Sequence, residues 1–442
     1  MNDQNRAWTT RVYRYLVDEE DARVCRDIPD EACNAQPKSF VLHILALVLT
    51  KLGDSLVSAR LILPWLMTAS GAPGFLIAWL VPLRESMALL PQLLVAQKLR
   101  EQPIRKWFWV IGSLGQCVGL IAMLLAVLYT EGTVLGWSII GALLFFSLSR
   151  GVCSVAIKDV MGKTISKSRR GRLTGNASSA AGVLTLLVAL LIIAFPELTE
   201  SSAVFYSLLG GSALLWLVAA TIYSFVPETP GATEGGGNAG AEAIKSLSLL
   251  VTDSHFRKFV MTRALLVSSA FSIPYIVVLV QQQDQSTLST LGGLMLASGA
   301  AGMVAGRFWG SWADKASHHV MAAAAWLASA IMVLTVVLAS FNAALLGNIF
   351  VASALIFSAA VAHQGARIGR TTYLVDMATQ ENRAQFTAVS NTLIGVILLC
   401  GGVLGALDYW LGTLSVLVFL ALLAILAGGQ ALRLPSVSES ND

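Results

Sequence analysis

The chain has 442 residues, 55% of them hydrophobic and 13% charged, and its mean hydropathy is +0.69. Soluble domains carry about 25% charged residues, so water is excluded as the main solvent. Thirty Lys and Arg against 26 Asp and Glu leave a formal net charge of +4, which gives no support to a nucleic-acid partner. Residues 1–39 are polar, lack the apolar stretch of a cleavable signal sequence, and read as a cytoplasmic N-terminal arm. Within it Trp8, Val12, Tyr15 and Leu16 recur at helical spacing beside Arg6, Arg11 and Arg14, a pattern that suits the inner leaflet or, equally, a cytosolic cap.

A helix needs roughly 20 apolar residues to cross ~30 Å of hydrocarbon. Apolar runs predict spans over residues 40–65, 74–97, 107–130, 134–157, 174–195 and 202–226, then 257–282, 287–310, 318–340, 342–366, 385–406 and 409–431. The connections near 66–73, 129–134, 196–201, 282–286, 341 and 407 carry Glu131, Glu197, Glu200 and Asp284 but no Lys or Arg. The alternate connections hold Lys98, Arg100, Arg105 and Lys106, then Lys158, Lys163, Lys167, Arg169, Arg170 and Arg172, then Lys245, Arg257 and Lys258. Basic residues mark cytoplasmic loops. The chain therefore reads as an all-α polytopic membrane protein of twelve transmembrane helices in the cytoplasmic membrane, with both termini inside.

Residues 227–254 are rich in Pro, Gly, Ala and Glu and read as a cytoplasmic linker between bundles 40–226 and 255–432, with 433–442 as a tail. The halves resemble each other weakly. When residues 169–182 are laid on 382–395, Arg170 meets Arg383, Thr174 meets Thr387 and Gly182 meets Gly395, the mark of an internal duplication. The five cysteines, Cys25, Cys33, Cys117, Cys153 and Cys400, form no CxxC pair and read as packing residues.

Two six-helix bundles joined by a long cytoplasmic linker resemble the major facilitator superfamily. After the eighth span, GSWADKASHH keeps Gly310, Asp314 and Lys315 of that family's cytoplasmic motif, with Ser317, His318 and His319 replacing its second Gly and basic pair. The counterpart in the first half has lost the Gly and Asp, with Leu93 and Gln97 in their places. The resemblance implies a conformational gate in which Gly310 lets helix ends approach and Asp314 meets a helix N-terminus or a guanidinium such as Arg370. A capped tight turn is the plainer reading of the same residues.

Ionisable residues inside spans carry the most functional information. Lys51 and Asp54 lie in the first span, Arg84 and Glu85 in the second, and Arg150 in the fourth. At about 2.5–3.5 kcal/mol each on insertion scales, they must face a wet cavity or one another. Lys51 and Asp54, three apart, share a face and allow a local pair. Arg84 and Glu85 point about 100° apart and cannot share one partner. A closed salt-bridge network fixing helix packing is the structural alternative to a central pathway. With Arg60 and Arg263 added, cations outnumber acids, which favours an anionic or zwitterionic small molecule, although Arg60 and Arg263 also lie where they can snorkel.

In the seventh span Ser268, Ser269, Ser272 and Tyr275 add polarity, and Pro274 permits a bend. His363 occupies the repeat position of Arg150, where a titrating imidazole would couple to protons and a neutral one would simply pack. Arg150 lies in SLSRGVCSV, similar to the superfamily's fourth-helix Arg motif but without its Gln-Gly. The Gly-Pro signature of drug/proton antiporters is missing from the fifth span. Gly401, Gly402 and Gly405 offer small surfaces for close helix packing.

No GxSxG, HExxH or Walker pattern occurs, and His43, His255, His318, His319 and His363 are not spaced as metal ligands. No catalytic residue, metal or cofactor is expected. The leading expectation is a monomeric secondary transporter of a small organic solute, working by alternating access as a proton-linked exporter, with membrane lipid around it. The rivals are a non-transporting receptor or scaffold of the same fold, and a lipid or lysolipid translocator.

Overall fold

The computed structural model describes residues 28–195, 203–231, 248–283, 287–378 and 383–436, together with Thr9, Val12 and Tyr13. The amphipathic pattern on Trp8, Tyr15 and Leu16, the acidic Glu197, Glu200 and Asp284, and most of the expected linker lie outside these residues. Every regular element described is a helix, and ten helices are long and apolar enough to cross a membrane.

The first expected span is two helices, α1 (Asp30–Leu56) and α2 (Ile62–Ala69). Between them the Ser58 carbonyl accepts from the backbone N–H groups of Leu61, Ile62 and Leu63, an unwound turn that carries Arg60. The second span comes in three pieces, α3 (Gly74–Ile77), α4 (Leu80–Leu89) and α5 (Gln92–Arg100). Pro73 and Pro91 precede helices and Pro82 sits in the first turn of another. Lacking an N–H, each proline can start a helix but not continue one. Next come α6 (Lys106–Tyr129), α7 (Gly132–Thr164), α8 (Lys167–Ala194) and α9 (Ala203–Ser224).

Helix α6 shows how the solvent is inverted. Its exposed stripe is Ile111, Leu114, Val118, Ile121, Leu125 and Leu128, at alternating three- and four-residue steps. Its buried face includes Gly112, Ser113, Gln116 and Gly119. Apolar residues outside and small or polar ones inside are what a helix facing lipid requires.

In the second half α10 (Ser254–Leu266) and α11 (Ser268–Gln281) meet at Val267, followed by α12 (Leu288–Phe341), α13 (Ile349–Met377) and α14 (Arg383–Cys400). A short turn over Gly401–Val403 leads to α15 (Leu404–Leu411) and α16 (Thr413–Leu432). Helix α12 covers two expected spans and the connection between them in 54 residues, broken only at Ala316, where φ is −156° and ψ 72°. That merger, and the division of residues 74–100 into short pieces, account for the difference between twelve expected spans and ten long helices. Helix α13 also runs eleven residues beyond the expected end at 366, to Met377.

The buried apolar residues show how the halves meet. One large cluster runs through both, from Leu63, Trp65 and Leu76 to Phe271, Ile276 and Leu404. Around Trp109 and Tyr223, and around Phe256 and Tyr373, the clusters belong to one half only. The halves are thus welded at one end of the molecule and separate at the other. At the welded end α2 packs on α11 and α3 on α15, while α4 meets α14 and α8 meets α12. Gly401 lies against the Phe271 ring, Gly402 against Trp79, and a Cβ at Gly405 would stand 2.8 Å from the Phe75 carbonyl oxygen. These three glycines are the close-packing surface their spacing suggested.

At the separated end, Glu228 anchors the start of the linker to the first half. Its buried carboxylate accepts from the backbone N–H of Arg105 at 2.9 Å and of Lys106 at 2.7 Å, and from Lys163 Nζ at 2.9 Å. Tyr13 of the N-terminal arm, which the sequence pattern did not single out, packs edge-on against Phe40 and accepts from Gln36 Nε2 at 2.7 Å. Cys33 is disulfide-bonded, which corrects the packing role expected of it, whereas Cys117, Cys153 and Cys400 are free.

A charged cavity between the halves

The intramembrane charges of the first half separate into two groups. Asp54, on α1, is held by Arg84 Nη2 of α4 at 2.6 Å and by Arg150 Nη1 of α7. The Arg84 guanidinium also lies over the Phe146 ring, 4.9 Å from its centroid, a favourable cation–π position. Glu85 faces another direction and accepts from Arg60 Nη2 at 2.7 Å. The expected divergence of Arg84 and Glu85 is therefore realised. The local Lys51–Asp54 pair is not formed: both oxygens of Asp54 are occupied by the two arginines, and Lys51 instead lines a cavity.

Two neighbouring lobes lie between the halves. The larger, about 580 Å³, is lined by Lys51, Asp54, Arg60 and Arg367, with hydroxyl and amide groups from α1, α8, α12 and α13. The smaller, about 90 Å³, is lined by Arg60, Glu85, Arg263, His363, Arg367 and Arg370. Arg60 and Arg367 border both. Five cations thus face two carboxylates, and each carboxylate already has a guanidinium partner.

Arg263 of α10 is only 8% exposed. Its Nη1 donates to Ser390 Oγ at 2.6 Å and its Nη2 to Asn391 Oδ1 at 2.8 Å, while its buried Nε has no partner among the described residues. It is a buried cation held by neutral groups, not a snorkelling residue. His363 Nδ1 shares a 3.2 Å hydrogen bond with Ser269 Oγ. This contact joins α13 to α11 much as Arg150 and Asp54 join α7 to α1. Tyr275 is buried in α11 with its hydroxyl unpartnered among the described residues, and it lines neither lobe.

Sequence reading missed Arg367 and gave Arg370 a different setting. The end of the tenth span was placed at 366, so both fell in a connection, whereas α13 continues as one helix past them. The signal was present, since His363, Arg367 and Arg370 follow the i, i+4, i+7 spacing of one helical face. The structure does not bring Asp314 to Arg370. Asp314 and Lys315 are exposed and without ion pairs among the described residues, and the space beside Gly310 is open. Among the described residues no three His, Cys, Asp or Glu side chains converge as a metal site would need.

An all-helical architecture with ten helices long and apolar enough to cross a membrane among the described residues, and a charged cavity between its two halves, is that of a membrane carrier. The chain belongs to the Major Facilitator Superfamily, whose sequence model matches residues 44–366. Among solved structures it is similar to a D-xylose–proton symporter, with TM-score 0.67 and 13% identity over 91% of this chain and 99% of that one. A POT family transporter in complex with 5-aminolevulinic acid gives TM-score 0.68 and 10% identity over 90% and 96% of the two chains. An inward-open xylose transporter from E. coli gives 0.59 and 12% over 90% and 96%. No curated protein matches the sequence.

Proposed function

We propose that this protein is a secondary transporter of a small organic anion, working by rocking of two six-helix bundles, residues 40–226 and 255–432, about the charged cavity. The observation that carries the reading is the excess of cations: Lys51, Arg263, Arg367 and Arg370 have no carboxylate within ion-pair distance among the described residues. Uncompensated charge inside a membrane is costly, and a pathway for a counter-charged solute is its most economical use. With Lys- and Arg-bearing connections inside, the welded end faces outward and the separated end faces the cytoplasm. The molecule is then open inward, and the gate motif of Gly310, Asp314, Lys315 and Arg370 is disengaged, as that state requires. Proton-linked export by a single chain in the cytoplasmic membrane is the mode we assign.

A thermal-shift screen of purified protein against anionic, zwitterionic and cationic solutes tests the substrate class. A ligand at 100 times its dissociation constant stabilises the native state by about 2.7 kcal/mol. Stabilisation by anions, lost in Arg367→Gln, is expected; stabilisation by cations alone would sink the reading.

A further inference from the structure

The two lobes differ in chemistry, and that difference narrows the ligand. In the smaller lobe the Arg60–Glu85 pair is self-compensated, which leaves Arg263, Arg367 and Arg370 around a space that holds one compact oxyanion. Arg263 is more than nine-tenths buried and has only the neutral Ser390 and Asn391 as hydrogen-bond partners among the described residues, so its charge in the lining of the lobe has no counter-charge of its own. The larger lobe beside it offers neutral hydrogen-bonding groups from Ser55, Ser58, Ser178, Thr185, Ser298 and Gln364. Arg60 and Arg367 border both lobes, which places the two side by side.

Resting on the anion-transport reading, we propose that the smaller lobe receives the dianionic head of a phosphomonoester and the larger lobe its hydroxyl-bearing body. A phosphomonoester carries about −1.5 to −2 charge at pH 7 and three strong acceptor oxygens. A single carboxylate would neutralise one guanidinium of three. Guanidinium forks match phosphate oxygens bidentately, which ammonium groups do not. The head group has two possible sources, a soluble sugar or polyol phosphate and a lysophospholipid.

The test is a set of thermal-shift titrations on the intact protein in lipid nanodiscs. Glucose, gluconate and glucose 6-phosphate share a polyol body and differ in charge, while lysophosphatidic acid and lysophosphatidylcholine share a lipid body and differ in head group. The expected result is that one phosphomonoester binds at least about ten-fold tighter than its matched partner, since each good charge-assisted contact is worth that much. Preference for glucose 6-phosphate assigns a soluble source; preference confined to lysophosphatidic acid assigns a lipid one. Arg263→Gln and Arg370→Gln should erase the preference, and Arg370→Lys should keep part of it. Equal binding of gluconate and glucose 6-phosphate, with no preference between the lysolipids, overturns the dianion site and leaves anion transport standing. Silence from every anion while cationic solutes bind overturns both readings. The wild-type series decides the matter even if a variant fails to fold.

Discussion

Asp54 and Glu85 illustrate how two carboxylates in one membrane region acquire different roles. Asp54 holds two guanidinium groups brought from sequence distances of 30 and 96 residues. Removing its charge leaves both cations without an anion, and breaking such part-buried pairs costs less than the several kcal/mol of fully buried ones but more than an exposed pair. Asp54→Asn should therefore impair transport and also lower unfolding stability by about 2 kcal/mol. Glu85 has one ion-pair partner among the described residues, and its side chain is 42% exposed against 28% for Arg60, conditions in which an ion pair is worth about 1 kcal/mol or less. Glu85→Gln should leave stability nearly unchanged. Denaturation of both variants beside a proteoliposome flux assay separates them; equal loss of stability would contradict the division of roles. The divergence of Arg84 and Glu85 was legible because helical geometry sets it locally. The partners of Asp54 were not, because Lys51 at i−3 competes on paper with arginines that only packing brings near.

At the scale of elements, breaks do the positioning. The unwound turn after α1 carries Arg60 to the border of both lobes, and the junction at Val267 lies beside the Ser269–His363 contact in the other half. Pro73, Pro82 and Pro91 accompany a division of the second span that the sequence reading drew as one run, while the continuous α12 and the extension of α13 ran past the polar breaks used to draw boundaries. Polar residues end an apolar run without ending a helix, since backbone hydrogen bonds continue wherever the side chains find water or partners. The welded end depends on α15 and its preceding turn lying close to α3. A bulky side chain at Gly402 must displace the Trp79 ring. Gly402→Leu should accordingly weaken that closure and expose Ser269→Cys to a membrane-impermeant maleimide added from outside. Unchanged protection of that cysteine would show that the glycine contact does not hold the end shut.

For the whole molecule, the asymmetry between a shared apolar cluster at one end and separate clusters at the other is what the proposed rocking of the two halves requires of one state. The assigned orientation predicts that protease added to inside-out vesicles, but not to right-side-out ones, cuts within residues 227–254. Cleavage only from the opposite side would reverse the orientation and turn the cavity outward. Composition and hydropathy by themselves determined that the chain is helical and embedded in a membrane, because a backbone in hydrocarbon must satisfy its own hydrogen bonds and leaves few other solutions. The alternation of basic and base-free connections set the proposed orientation, and charges within apolar runs marked Asp54, Arg84, Glu85 and Arg150 as residues needing partners. Which partners they find, and that Arg263, Arg367 and Arg370 converge on one small lobe with no acid of their own, was decided by tertiary structure alone. Coulomb interactions act across a few ångströms of space, and helices far apart in the sequence come that close only when they pack.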